Sequence, residues 1–343
     1  MNHVRILADD FTGALDAAAP FATFDAPVRL LLSSPDVATG KLTVSSESRD
    51  LPVAKSLAAV DRVHAWLGAD AEIDAMKPGI WFKKVDSVLR GHSVAETLEM
   101  MRRGNFAACI FAPAFPEMGR RTRDGMHEVR GEGGWEPAAI HDLRAEFAAE
   151  GVEARVFMSQ SPIEGIVIGD AVQQADLDRI VDHCRNLPNI LWAGSRGLAQ
   201  ALASNFQNMP QPHLSAIIAG TIHPVTRTQV ARAVAMGLGV KENYPVLIDP
   251  VPKARNAQET TAALMRDIPH LSIRPGSGLM VIGGDTLSAV LSASKAQSME
   301  CLGEIAPGLP VSRILGGQFD GVEVVTKSGG FGDDSLLERM IDG

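Results

Sequence analysis

Five places along this chain put charged, hydroxylated or glycine-rich segments directly after a short apolar run. Ligands in open parallel sheets bind at the carboxyl ends of strands, so these are the places where chemistry is expected. The first is Ile6-Leu7-Ala8-Asp9-Asp10-Phe11-Thr12-Gly13-Ala14, which sets two carboxylates ahead of a helix. Either can accept a proton from a substrate hydroxyl or orient a hydroxylated substrate. A helix cap accounts for one aspartate but not for both. The second is Phe82-Lys83-Lys84-Val85-Asp86-Ser87-Val88-Leu89-Arg90-Gly91-His92. Lys84 and Arg90 suit a substrate carboxylate, Arg90 through its two-pronged geometry. A Lys84–Asp86 ion pair is the structural alternative. The third runs from Phe111 to Pro116 and on through Gly119, Arg120 and Thr122. Two prolines flanking an aromatic set a rigid turn, from which Arg120 can reach an anion. The fourth, Ala193-Gly194-Ser195-Arg196-Gly197-Leu198, leads a strand into a helix N-terminus, a setting for anion binding or for tight packing. Its first glycine directly precedes the serine, so it is not a nucleophile elbow.

The fifth place is a set of three glycine-rich turns in the C-terminal part. Ile217-Ile218-Ala219-Gly220-Thr221 leads to His223, Val281-Ile282-Gly283-Gly284-Asp285-Thr286 opens a helix, and Thr326-Lys327-Ser328-Gly329-Gly330-Phe331-Gly332 follows a third strand. Glycines let the backbone approach phosphates, and helix N-termini favour negative charge. Three such turns together suggest a polyphosphate site, with Lys327 as a charge partner. There is no Gly-x-x-x-x-Gly-Lys-Ser/Thr, no Gly-x-Gly-x-x-Gly after the first strand and no His-Glu-x-x-His. A Walker loop, a dinucleotide fingerprint and a zincin site are therefore not expected, and no metal-ligand set stands out.

The elements that must position these residues alternate along the chain. Val4–Ala8, Val28–Leu32, Ile80–Lys84, Ala107–Ala112, Gly165–Ile168 and Ile190–Ala193 read as strands. Val53–Leu67, Ser93–Met101, Asp176–Arg185 and Leu198–Phe206 read as helices. The alternation predicts an α/β fold with a largely parallel sheet. Gln207-Asn208-Met209-Pro210-Gln211-Pro212 lacks periodicity and reads as a linker. A second series follows, with strands at Leu214–Ala219, Pro245–Ile248, Gly278–Ile282 and Val322–Thr326 and helices at Thr226–Met236, Asn256–Met265 and Thr286–Ser294. A last helix, Asp334–Ile341, can pack on either half. Gly119–Trp135, rich in Gly, Arg and Glu, reads as a long loop.

The 343 residues suffice for about two domains. With 45% apolar and 21% charged residues, they describe a soluble globular chain. A net charge of −9 argues against nucleic acid or an anionic membrane surface as the main partner. No apolar run reaches the roughly 18 residues of a membrane span, and Met1–Asp10 has no signal-peptide core. Cys109, Cys184 and Cys301 are far apart, which fits small core hydrophobes in a reducing cytoplasm.

Taken in order, Ala8–Ala14, Lys84-x-Asp86-Ser87-x-Leu89-Arg90-Gly91, Pro113–Pro116 with Gly119-Arg120, and Gly194-Ser195-x-Gly197-Leu198-Ala199 resemble the four-carbon acid sugar kinases. So do Gly283–Thr286 and Lys327–Gly332. The resemblance implies two domains, each a mostly parallel sheet flanked by helices: residues 1–207 for the sugar acid and 208–343 for ATP, with the active site in the interdomain cleft. It implies ATP and Mg2+ as cofactors and transfer of the γ-phosphoryl group to the terminal hydroxyl of threonate, erythronate, 3-oxo-tetronate or a similar acid. Asp9 or Asp10 is then the catalytic carboxylate. Lys84, Asp86, Ser87, Arg90 and Arg120 bind the acid. Thr221, His223, Gly283, Gly284, Asp285, Thr286, Lys327, Gly329, Gly330 and Gly332 bind the nucleotide. Neither nucleic acid nor membrane is an expected partner, and the oligomeric state is open between monomer and homodimer.

The chain departs from the family pattern at Gly220-Thr221-Ile222-His223, where Gly-Ser-Cys-Ser is usual, and at Val88 and His92. It is also shorter than typical members, between Gly125 and Gly165. These departures keep two rivals in view: a sugar-acid- and nucleotide-binding member with little kinase activity, and a nucleotide-dependent oxidoreductase.

Overall fold

Val4–Ala8, Ala108–Ala112 and Gly278–Ile282 are buried at every position, as strands covered on both faces of a parallel sheet must be. The computed structural model describes residues 3–35, 39–68, 79–104, 106–131, 133–203, 208–274 and 276–342. The chain forms two compact units, one of Met1–Phe21 with Ser34–Phe206, the other of Ala22–Ser33 with Gln207–Gly343. The expected division at 207/208 would leave residues 22–33 with the first unit. They join the second because β2 (Val28–Leu31), which follows β1 (Val4–Ala8) in sequence, pairs antiparallel with a strand of the C-terminal half.

The first unit is built on β1, β3 (Lys41–Ser45), β4 (Ile80–Lys84), β5 (Ala108–Ala112), β9 (Ala154–Val156), β10 (Gly165–Ile168) and β11 (Ile190–Gly194). Their order is β3-β1-β4-β11-β5-β10-β9, with every neighbouring pair parallel. From β1 the chain goes to β3 on one side and then returns to β4 on the other. The strand order therefore reverses between β1 and β4, which makes this the ligand-binding crevice of such a sheet. Parallel strands need crossover helices. These are α1 (Phe11–Ala18), α2 (Val53–Leu67), α3 (Ser93–Arg103), α4 (Leu143–Ala149), α5 (Gln174–Cys184) and α6 (Arg196–Leu202). In α2 the buried residues Ala59, Val60, Val63 and Leu67 recur at three- and four-residue steps, the stripe of a helix lying on a sheet. The helix expected over Leu198–Phe206 forms as α6, while residues 204–207, including the start of the expected linker, lie outside the described residues.

The segment expected to be a loop, Gly119–Trp135, is instead ordered β structure. β6 (Arg120–Arg123), β7 (Met126–Gly131) and β8 (Gly134–Asp142) form an antiparallel three-stranded sheet. Its first turn places Asp124 (φ 54°) and Gly125 (φ 74°) in the left-handed region, the geometry an Asp-Gly pair favours between two strands.

In the second unit β12 (Leu214–Ala219), β13 (Val246–Ile248), β14 (Gly278–Ile282) and β17 (Glu323–Lys327) run parallel in the order β13-β12-β14-β17. β16 (Pro310–Leu315), β15 (Ser298–Glu304) and β2 continue the sheet antiparallel. Its helices are α7 (Pro224–Met236), α8 (Ala257–Asp267), α9 (Gly284–Ala293) and α10 (Leu336–Asp342). Leu336, Leu337 and Met340 of α10 pack into the core with Val230 and Ala233 of α7, so the last helix belongs to this unit. Among the described residues, no helix is long and apolar enough to cross a membrane. Cys109, Cys184 and Cys301 are buried, and among the described residues none of them forms a disulfide.

Candidate active site

Asp10 has extended backbone and caps α1: its Oδ1 accepts the Gly13 amide at 2.6 Å, and its Oδ2 accepts the Thr12 hydroxyl at 2.9 Å. Gly13 is what makes this possible, since a β-carbon there would lie 2.5 Å from Asp10 Oδ1. Asp9 points elsewhere and is almost fully buried. Both of its oxygens are held by the fork of Arg49, at 2.7 and 2.8 Å, and the other arm of that guanidinium reaches Asp10 Oδ2 at 2.7 Å. Burial alone would raise the Asp9 carboxyl, but the Arg49 guanidinium, with help from Lys83, holds it below the usual range.

Arg49 is the residue the sequence reading missed. It is carried by the tail of β3, which follows β1 past its tip: Ser46 N–H donates to the Ala8 carbonyl (2.9 Å) and Ser48 N–H to the Asp9 carbonyl (3.0 Å). The rule that found the other sites, polar residues just past a strand, would have found Arg49 had Lys41–Ser45 been recognised as a strand. Gly91 admits the Arg49 backbone, since a β-carbon there would meet the Arg49 carbonyl oxygen at 3.2 Å.

The tip of β4 separates its two lysines onto opposite faces, as a strand must. Lys83 is fully buried and pairs with Glu96 of α3 at 2.8 Å. Glu96 Oε1 also accepts the hydroxyls of Ser48 (2.5 Å) and Ser56 (2.6 Å). This is the structural ion pair at this strand end. Lys84 faces the crevice side, with its stem 3.7 Å from the position of a Gly13 β-carbon and its Nζ donating to the Val85 carbonyl at 2.9 Å. Asp86 is not paired with Lys84. Its carboxylate accepts the Val88 and Arg90 amides (3.0 and 3.3 Å) and the Arg90 guanidinium (2.5 Å), with Arg49 at 3.8 Å. Burial would raise the Asp86 carboxyl, but Arg90, Arg49 and Lys84 outweigh it and hold the group far below the ordinary range. The result is a cluster of alternating charge: Asp9, Asp10 and Asp86 with Arg49, Lys84 and Arg90.

Arg120 opens β6. It donates to the Met118 carbonyl, and its Nε is buried without a hydrogen-bond partner among the described residues. Burial lowers its pKa, while Asp86 raises it and Arg90 lowers it, which places this guanidinium within the field of the cluster. Ser87 presents its carbonyl to His127 (2.9 Å). Ser195 is spent on packing: it donates to the Ala114 carbonyl at 2.8 Å and caps α6. A β-carbon on Gly194 would come within 2.4 Å of the Ala112 carbonyl oxygen.

In the second unit the three glycine-rich turns meet. A β-carbon on Gly283 would lie 3.3 Å from Thr221 Cβ, one on Gly329 would lie 2.9 Å from Thr221 Oγ1, and one on Gly330 would lie 2.9 Å from His223 Nε2. Gly283 adopts φ 101°, open to glycine. His223 caps α7, its Nδ1 accepting the Val225 amide at 3.3 Å, and Pro224 occupies the first helical position. Thr221, His223, Gly283, Gly329 and Gly330 thus line one backbone cradle at the tips of β12, β14 and β17. Gly284, Asp285 and Thr286 form the first turn of α9, with Thr286 buried and Asp285 exposed. Gly332 (φ 84°) closes the last turn against Leu336.

Lys327 is oriented inward. Its Nζ donates to the carbonyls of Ser328 (3.0 Å) and Phe331 (3.2 Å) and lies 3.2 Å from Thr226 Oγ1. Burial pushes its pKa down to about 7, with Arg227 adding to the shift. The end of β13 and one face of α8 border an open pocket of about 540 Å³, where Leu247, Ile248 and Ala263 meet the charged Asp249, Lys253 and Arg266.

A family model described as a sugar-binding N-terminal domain matches residues 4–146, and one described as a nucleotide-binding C-terminal domain matches residues 246–337. The D-threonate kinase of Salmonella typhimurium is 25% identical over 410 residues, covering 97% of this chain and 96% of that protein. The D-threonate kinase of Bordetella bronchiseptica is 28% identical over 398 residues, covering 98% and 96%. The 3-oxo-tetronate kinase of Cupriavidus necator is 27% identical over 429 residues, covering 98% and 95%. Each alignment is longer than the 343 residues of this chain, so these relatives carry stretches that it lacks. Among solved structures, a protein of Salmonella typhimurium superposes with a TM-score of 0.72 at 19% identity, covering 99% of this chain and 98% of its own. A Haemophilus influenzae protein superposes at 0.67 with 16% identity, covering 98% of each chain. At these identities the two structures establish the fold.

Proposed function

The chain belongs to the four-carbon acid sugar kinase family, and from that membership we propose that it is an ATP-dependent kinase acting on the terminal hydroxyl of a four-carbon sugar acid. D-threonate and 3-oxo-tetronate, for which its relatives are named, are the first candidates, with erythronate beside them. The observation that carries the reading is the carboxylate–guanidinium cluster at the β1/β4 crevice, in a chain whose other sheet builds a glycine-lined cradle. A hydroxylated anion needs both acceptors and cations, and a polyphosphate needs backbone amides at a helix N-terminus.

The geometry supports the following roles. Asp10, more open than Asp9, receives the attacking hydroxyl and takes its proton. Asp9 serves as the anchor that fixes Arg49, which in turn fixes the Asp10 carboxylate. Lys84 and the unpartnered Nε of Arg120 receive the substrate carboxylate. Asp86 and Arg90, held to each other, accept from and donate to the remaining hydroxyls. ATP with Mg2+ supplies the phosphoryl group when bound. The cradle of Thr221, His223, Gly283, Gly329 and Gly330 is the place for its phosphates, since the glycines bring backbone close to the Thr221 hydroxyl and the His223 ring at the N-terminus of α7. The pocket beside β13, of about 540 Å³ and with a mixed apolar and charged lining, is the candidate place for the nucleoside. Mg2+ is commonly held by substrate phosphates and one or two carboxylates, so it needs no all-protein cage; among the described residues no group of three or more ligands forms one. Phosphoryl transfer depends mainly on positioning and charge neutralisation, which these side chains provide. Three buried cysteines that form no disulfide among the described residues are compatible with a reducing cytoplasm as the site of action.

The reading is tested by ADP release from ATP with a panel of tetronates and longer sugar acids, alongside calorimetry of nucleotide binding. One or more acids should stimulate ADP release well above the rate with ATP alone. Nucleotide binding with no acid stimulating release would leave a binding protein without turnover, and failure to bind nucleotide would remove the kinase reading.

Lys327 carries a pH prediction. Its folded-state pKa of about 7 lies below the unfolded value, so the unfolded chain binds the extra proton between that point and about 10.4. Its contribution therefore makes stability rise with pH across that window. An anionic nucleotide laid on the cradle raises the Lys327 pKa, so binding at pH 8 takes up a fraction of a proton. Titration calorimetry in buffers of different ionisation enthalpy should show this uptake in the wild type and lose it in Lys327→Met. That variant should also bind ATP more weakly while leaving the KM for the acid nearly unchanged. Equal buffer dependence in both proteins would reject it.

A further inference from the structure

The three-stranded sheet β6–β8 is tied to the first unit at several points. The Thr122 and Ala171 backbones exchange hydrogen bonds at 2.9 Å in both directions. Asp170, just past the tip of β10, accepts the amides of Asp124 (2.5 Å) and Gly125 (3.0 Å) at the hairpin turn. Two further ties go to the turn between β4 and α3, the segment that carries Asp86, Ser87 and Arg90. His127 Nε2 donates to the Ser87 carbonyl at 2.9 Å, and the Ala139 amide donates to the Val88 carbonyl at 3.3 Å. His127 is fully buried, and its Nδ1 lies 3.0 Å from the hydroxyl of Thr122. Both imidazole nitrogens are therefore engaged, one on the sheet's own strand and one on the turn.

That turn has unusual backbone. Leu89 is buried at φ 61° and Gly91 stands at φ 75°, so two residues within three are left-handed. A leucine in that region persists only where its surroundings over-determine it. On the crevice side the turn is held by Asp86, which accepts the Val88 and Arg90 amides. On the other side its carbonyls are held by β7 and β8. Breaking the second set leaves the strained turn free to relax, and the Asp86–Arg90 pair moves with it.

We propose that His127 is a positioning residue: through the Ser87 carbonyl it fixes the Asp86–Gly91 turn, and so sets how tightly the site holds its hydroxylated acid. The β6–β8 sheet then acts as a fixed wall of the sugar-acid site, and affinity for the acid depends on a residue that does not touch it. This rests on the sugar-acid reading above.

The test compares two polar replacements at one position. Gln at 127 places its amide near the Nε2 position and can still donate to Ser87, whereas Asn reaches only the Nδ1 position and keeps the Thr122 contact. His127→Asn should raise the KM for the best sugar acid by roughly 10- to 100-fold, the range expected when a supporting group is displaced. Its KM for ATP should stay unchanged, and His127→Gln should recover most of the loss. Amide hydrogen exchange supplies a readout that needs no activity: in the protein without ligand, Val88 and Arg90 should exchange faster in His127→Asn than in wild type or His127→Gln. Equal KM for the acid in the Asn and Gln variants, or unchanged exchange at Val88 and Arg90, would overturn the proposal. If no acid is turned over by the wild type, the kinase reading fails while the exchange measurement still decides the role of His127.

Discussion

Asp10→Asn should abolish most turnover while leaving the fold intact. Asparagine caps a helix about as well as aspartate, so the Gly13 amide at 2.6 Å and the start of α1 are retained. Thermal stability should change by no more than about 1 kcal/mol. What is lost is the carboxylate that accepts the hydroxyl proton, for which roughly 10²- to 10⁴-fold in kcat is expected. Measured together, ADP release and thermal unfolding separate the two roles that one side chain holds. A variant that keeps kcat within about tenfold would move the base away from Asp10. The Asp9→Asn variant serves as the counterpart. Because both Asp9 oxygens are taken by Arg49, its expected cost falls on stability first and on rate second.

Arg49→Met should be more damaging to the whole first unit. It leaves Asp9, which is almost fully buried, without its guanidinium, and it frees Asp10 from its lateral anchor. Breaking one partner of a buried charge pair costs about 3–5 kcal/mol, and a displaced Asp10 adds roughly 10²-fold in kcat/KM. The acid dependence gives a separate check. The carboxyls of Asp9 and Asp86 are both depressed in the folded chain, Asp9 chiefly by Arg49 and Asp86 by Arg90 with Arg49 next. Their contribution to stability is therefore complete above the unfolded value of about 3.9 and is lost as pH falls through the folded values. The gap in unfolding temperature between wild type and Arg49→Met should be widest near neutral pH and should close on acidification below about pH 4. A gap independent of pH would mean that Arg49 acts through packing alone.

The parallel core was legible because its strands are uninterrupted apolar runs, and such runs end where the chemistry begins. Asp9, Asp10, Lys84, Asp86 and Arg90 were found on that ground, and the structure gathers them at one crevice. Three things were not legible. Adjacent lysines alternate across a strand, so the sequence could not say that Lys83 takes the buried pair and Lys84 the crevice. Lys41–Ser45 offers only two apolar residues, Leu42 and Val44, with Thr43 between them, so β3 went unnoticed and Arg49 with it. β6 is the wholly polar Arg-Arg-Thr-Arg and β7 carries further charges, which resembles a loop unless the Asp124-Gly125 pair is read as a hairpin turn. The inward direction of Lys327 depends on the path of the turn that follows it, and that path is fixed by distant partners such as Gln229.

The membership of residues 22–33 in the second unit bears on how this protein is made. β2 leaves the ribosome well before its partner β15, which begins only at Ser298. At about 5–20 residues per second, the interval between them is roughly 10–60 s. Throughout that time the edge of Val28–Leu31 that β15 will cover waits unfilled, while the strands of the first unit up to Gly194 are still being made. Its synthesis therefore contains a window of aggregation risk that neither unit has once finished, and a gene fragment starting at residue 208 would encode a sheet short of its last strand.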